Sequence, residues 1–178
     1  MDKIAIISGK EVTFRSVATL PRMYKMYFQR DFFEDLNLMS DIQYVIKNVL
    51  KEGKEENVFE KLAWVMAKSY DPSLPDVERW KATFDEFNMK DVVKEVQGIL
   101  SVTIGANKQQ AKTGTTGTAK TNTELFLIMC KDVGLTNDDL ESMTLGMCLD
   151  FIDEYLQVKH PDQKPKFINA QQAHFDKF

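Results

Sequence analysis

Apolar and polar residues alternate at the start of the chain and then settle into helical spacing for most of its length. In KIAIISGKEVTFRSV two β-rich runs flank Ser8-Gly9-Lys10, and in the second Val12 and Phe14 alternate with Glu11, Thr13 and Arg15. That is the pattern of a hairpin with one apolar face. A lone hairpin is unstable in water, so this one needs helices to lie on.

The helices follow at once. Pro21 suits a first turn with Thr19 as its cap, and Tyr24, Tyr27, Phe28, Phe32 and Leu36 recur at helical spacing with Phe33 to one side. Ser40 caps a second helix with the stripe Ile42, Val45, Ile46, Val49 and Leu50, which stops at Gly53. A third starts near Asn57, with Glu60 completing a capping box and Phe59, Leu62, Ala63, Met66 and Tyr70 on one side, before DPSLP ends it. Val77, Trp80, Phe84 and Phe87 mark a fourth helix. Met89, Val92, Val93, Val96, Ile99 and Leu100 mark a fifth, capped by Asn88. The fold class is therefore mainly α: an N-terminal β-hairpin packed on a five-helix domain over residues 1–104.

Residues 105–122, GANKQQAKTGTTGTAKTN, lack any apolar run and read as a flexible linker, spanning roughly 24 Å as a random coil. A small C-terminal helical domain follows over 123–158. It opens with Thr121 and Glu124 as a capping pair ahead of Leu125, Phe126, Ile128, Met129 and Val133. Thr136 with Asp139 starts a short helix, and Thr144 starts a longer one carrying Leu145, Cys148, Phe151, Ile152, Tyr155 and Leu156. This part is too small for a strong core of its own, so it either docks on the first domain or waits for a partner. Residues 159–178, polar and broken by prolines, read as a loose tail.

Composition changes this picture little. A chain of 178 residues, 43% of them hydrophobic, buries one real core, or one core of about 100 residues plus a smaller satellite. No run is long and apolar enough for a membrane span, and the opening MDKIAIISGK is not a secretory signal, so a reducing cytosol is expected. The net charge of −4 is concentrated toward the C-terminal part, where residues 123–178 hold ten acidic and five basic side chains. A phosphate backbone would be repelled there, so nucleic acid is not expected as a partner, and with no apolar span neither is a membrane. The helix-turn-helix look of GLTNDDLESMTLGMCLDFI fails for the same reason, because it would present Asp150 and Asp153 to DNA.

Candidate chemistry is sparse. Nucleotide-loop, zincin, EF-hand and nucleophile-elbow motifs do not occur. His160 and His174 fall in the tail, Cys130 and Cys148 sit in apolar helical patterns, and Asp150, Asp153 and Glu154 read as a solvated face. The expectation is a non-enzymatic protein with no cofactor and no metal. One feature stands apart: YKMYFQRDFF places five rings within ten residues, more than one side of a helix buries. Either some rings face outward as a binding patch, with self-association as one consequence, or the hairpin and the bundle cover them from two sides.

The order of elements, with LPRMYKMYFQRDFFEDL, VFEKLAWVMAKSYDPSLP, VERWKATF and the C-terminal TELFLIMCKDVGLTNDDLESMTLGMCLDFIDEYL, resembles the tail assembly chaperones of long-tailed phages, the group of the lambda-type G and GT products. Gln29-Arg30-Asp31 stands where such domains often carry a glycine, leaving open whether the aromatic helix bends there. The resemblance implies a non-enzymatic chaperone acting in the host cytoplasm during virion assembly and absent from the mature virion. It implies that the first domain binds the tape-measure protein, with Tyr24, Phe28, Phe32 and Phe33 as contacts, and that the C-terminal part recruits the major tail (tube) protein through Leu145, Met147 and Phe151. The alternative is a structural or adaptor subunit retained in the phage tail.

Overall fold

The computed structural model describes residues 1–39, 58–103 and 121–159. The fold is mainly helical with an N-terminal antiparallel hairpin, as the sequence pattern predicts. Strands β1 (Asp2–Ile7) and β2 (Lys10–Arg15) pair with Ala5 opposite Val12 and Ile7 opposite Lys10. The turn is tighter than expected: Lys10 belongs to β2, and only Ser8 (φ 51°) and Gly9 (φ 78°) connect the strands. Two consecutive positive φ angles make the primed turn whose twist matches that of the strands. Ser8 is held in this conformation from outside the hairpin. Its hydroxyl accepts a hydrogen bond from the Asn88 N–H (2.9 Å), and its own N–H donates to the Asp91 carboxylate (3.0 Å).

Ala5, Ile7, Val12 and Phe14 form the buried face of the hairpin. Beneath it lie α3 (Val58–Tyr70), against β2, and α5 (Met89–Thr103), against β1. Helix α3 is central and buried on more sides than its stripe predicted. Trp64, Val65 and Ala67 join Phe59, Leu62, Ala63 and Met66 in the core, while Tyr70, expected on that face, is half exposed. Asn88 caps α5 as expected, accepting from the Lys90 N–H (2.9 Å).

Three local expectations need correction. The aromatic stretch is two helices: α1 (Leu20–Phe28) ends at Gln29 in the left-handed region (φ 55°), and α2 (Phe32–Met39) starts afresh. Asp31 supplies the new start, its carboxylate accepting from the N–H groups of Phe33 (3.0 Å) and Glu34 (3.1 Å). Thr19 occupies the cap position of α1 without a side-chain capping bond. The fourth helix, α4 (Val77–Lys81), is a short turn capped by Asp76. Phe84 and Phe87 lie beyond it and close with Trp80 into a triad of edge-on rings 5.2–5.5 Å apart. The helix expected over Ile42–Leu50, the linker from residue 105 to residue 120, and the tail beyond Lys159 fall outside the described residues.

The C-terminal part comprises α6 (Thr123–Asp132), α7 (Asn137–Ser142) and α8 (Leu145–Lys159). Asn122, rather than Thr121, caps α6 by accepting from the Leu125 N–H (2.8 Å). The Thr136–Asp139 capping box forms as read. Of the two alternatives, docking is the one observed. Phe126, Cys130, Leu140, Leu145, Cys148 and Ile152 belong to the same apolar core as the hairpin and α3. Polar ties reinforce the contact: the Thr123 N–H donates to the Asp31 carboxylate (2.8 Å), the Ala18 N–H donates to the Met143 carbonyl (2.9 Å), and Lys25 pairs with Glu124. A single carboxylate, Asp31, thus caps α2 and fastens the first turn of α6.

Candidate binding surfaces

The bend at Gln29 decides which aromatic residues a partner can reach. It turns α2 so that Tyr24 and Phe32 meet edge to face (5.8 Å), and Phe33 meets Phe126 of α6 (5.6 Å). Tyr24, Phe32 and Phe33 are therefore buried, and so is Leu145 on the inner side of α8. All four were expected to contact partners, and the structure instead makes them core residues. Phe28 is partly buried between Tyr24 (5.1 Å) and Trp64 (5.6 Å), with the Lys61 ammonium over its ring (5.2 Å). Of the aromatic stretch, Met26 and Tyr27 remain exposed.

A buried polar lock holds the bend. Asp35, 2% exposed, receives the Tyr24 hydroxyl (2.7 Å) and both arms of the Arg30 guanidinium, with Nε at 2.6 Å. Burial, followed by the bond to Asp35, drives the Tyr24 hydroxyl well above its ordinary pKa, so it stays un-ionised and donates to Asp35. At Asp31 partial burial pulls the carboxyl up. The N–H donors of Thr123, Glu34 and Phe33 outweigh it and hold the group below the ordinary carboxylate value.

Burial pushes the Cys130 thiol up to about 11 and Cys148 up to about 12, so neither is a thiolate at neutral pH. Among the described residues no group of three or more His, Cys, Asp or Glu side chains could hold a metal ion, and no helix is long and apolar enough to cross a membrane. His160 and His174 lie outside the described residues. A shallow cleft of about 390 Å³ opens between α1, the end of α3 and α7, lined by Arg15, Arg22, Tyr27, Lys68 and Glu141 among others. Its cations already have partners: Arg15 forks onto Asp2 (2.8 and 2.9 Å), Arg22 bonds Asn137 (3.2 Å), and Lys68 donates to the Leu74 carbonyl.

Among the described residues, an unpartnered apolar surface lies on α8. Met147, Phe151 and Val158 are 53%, 46% and 72% exposed, and their spacing puts them within about 40° of one another around the helix. Leu145, Cys148 and Ile152 take the opposite side into the core, toward α5 and α6. Two of the three expected tube-protein contacts, Met147 and Phe151, thus face outward. Sequence reading missed the exposure of Ile4 and Ile6 on the outer face of the hairpin. The signal was present, because KIAII is apolar at both parities and a strand can bury only one of them. It ended the ordered pattern at Val158 without placing that residue on the outward face. No known protein family, no characterised protein and no solved structure matches this chain.

Proposed function

We propose that the protein is a phage tail assembly chaperone, a binding protein without an active site that holds two partners in the host cytoplasm. The first part engages the tape-measure protein and the C-terminal part recruits tail-tube protein. The observation that carries this reading is the outward face of α8, where Met147, Phe151 and Val158 are held out of a core that has already closed behind them. An apolar face of this kind on a well-packed helix costs solubility unless something binds it. The pairing of charges and the burial of both thiols also favour a binding role over a chemical one. With Tyr24, Phe32 and Phe33 in the core, contact with the tape-measure protein falls to Met26, Tyr27 and the open edge of Phe28.

Co-purification from cells expressing the full chain with the tape-measure and tube proteins of its own genome tests the reading. The intact chain should hold both, and Met147→Ser with Phe151→Ser should release the tube protein while keeping the tape-measure protein. If neither partner is retained by the intact chain, the chaperone reading is lost. If the protein is found in purified virions, it is instead a subunit of the tail.

A further inference from the structure

We propose that the outward face of α8 binds a cationic amphipathic helix of a partner protein. This deepens the reading above by giving the chemistry of the segment that the C-terminal part would recruit. The apolar element is a row on one helix face: Met147, Phe151 and Val158 lie along about 16 Å of it, with Glu154 between the last two, a shape that a second helix fills by laying its own apolar side alongside and a cation over Glu154.

Charge selects the occupant. Between Thr121 and Lys159 there are eight acidic and two basic side chains. Glu154 falls within the stripe, Asp150 borders it, and both are exposed. Partial burial and the neighbouring Asp150 push the Asp153 carboxyl upward, as expected where carboxylates crowd together. Of the two cations, Lys159 at the end of α8 sits over the Tyr155 ring (4.9 Å) and Lys131 belongs to α6. A helix with leucine-like anchors and flanking lysines or arginines satisfies both the stripe and its acidic border. A second copy of α8 would bring the same carboxylates against each other, and a phosphate-bearing membrane or nucleic acid would meet like charge.

The test is calorimetric titration of the full chain with a synthetic leucine–lysine amphipathic peptide and with its leucine–glutamate counterpart. The cationic peptide should bind in the micromolar range, weaken as salt rises, and shift the Met147 methyl resonance, while the anionic peptide should not bind. Met147→Ser with Phe151→Ser should weaken binding by about tenfold. Asp150→Asn with Glu154→Gln should flatten the salt dependence. The methyl shift needs no variant, so the test survives a variant that fails to fold. Equal binding of both peptides, binding of the cationic peptide without a Met147 shift, dimerisation through this face, or binding that appears only after removal of residues 160–178 would each overturn the proposal. A cationic peptide that binds while tube protein does not co-purify leaves the docking face standing and removes the assembly reading.

Discussion

Two stretches of this chain carry more apolar surface than one helix face can bury, and they dispose of the surplus in opposite ways. Residues 24–33 bend: the helix stops at Gln29, restarts at Asp31, and turns Phe32 and Phe33 back into the core. Helix α8 runs unbroken for fifteen residues and leaves Met147, Phe151 and Val158 exposed. The difference lies in polar chemistry, since both stretches repeat large side chains at helical spacing. The first contains Arg30, Asp31 and Asp35, which cap, clamp and pay for the turn; the second has no comparable break between Thr144 and Lys159. An apolar surplus therefore becomes core or docking surface according to the few polar residues beside it.

The sharpest way to break this comparison is to truncate one ring in each stretch. Phe32→Ala should cost about 3–5 kcal/mol, the toll of a buried phenylalanine and the void it leaves. Phe151→Ala should change stability by no more than about 0.5 kcal/mol, as surface substitutions do. Urea unfolding of the two variants reads both numbers. Equal losses would mean that α8 is covered and the distinction is false.

Next in size is the polar lock. Asp35→Ala leaves the Tyr24 hydroxyl and the Arg30 guanidinium without their shared acceptor, which should cost about 3 kcal/mol once allowance is made for the solvent that reaches Arg30. Tyr24→Phe is the milder partner of this experiment, at about 1 kcal/mol for one buried hydrogen bond. A loss at Asp35 no greater than at Tyr24 would show that the clamp does not hold the bend.

Asp31 gives a smaller effect with a pH signature. Its carboxyl is held below the ordinary value in the folded chain, so it binds protons less readily there than in the unfolded chain. The stability it contributes is fully present above the unfolded carboxylate value of about 3.9 and declines as pH falls through the lower folded value. Asp31→Asn should shallow the loss of stability with acid in that window, and Asp31→Ala should cost about 1 kcal/mol at neutral pH as a lost cap. Thermal melts across that range separate the two variants.

How far the sequence carries the fold depends on which signals were in phase with the structure. The hairpin, its Val12 and Phe14 face, the start of α5 at Asn88 and the Thr136–Asp139 box were legible because each is a local pattern with one physical solution. The bend was not legible from the apolar pattern, because the spacing of Tyr24, Phe28 and Phe32 continues unbroken through Gln29. Only the cap at Asp31 marked it, and a cap inside an apolar repeat is easily overruled by the repeat. The same ambiguity misplaced the binding residues: a stripe shows that a face is apolar, and only the neighbours show whether it is covered. Leu145 and Met147, two positions apart on one helix, lie on opposite sides of it, the first covered and the second open.

Gln29 offers the finest test, because its outcome changes sign with the geometry. In the bent structure Gln29 sits at φ 55°, where a side chain costs about 1 kcal/mol and glycine costs nothing. Gln29→Gly should therefore stabilise the protein by up to about 1 kcal/mol, reduced by the loss of the bond from the Gln29 amide to the Met26 carbonyl (3.1 Å). Were residues 20–36 one continuous helix, the same glycine would sit mid-helix and destabilise by about 1 kcal/mol. A rise in the urea midpoint with an unchanged slope places the bend in solution; a fall returns Phe32 and Phe33 to the surface and with them the aromatic patch as a binding site.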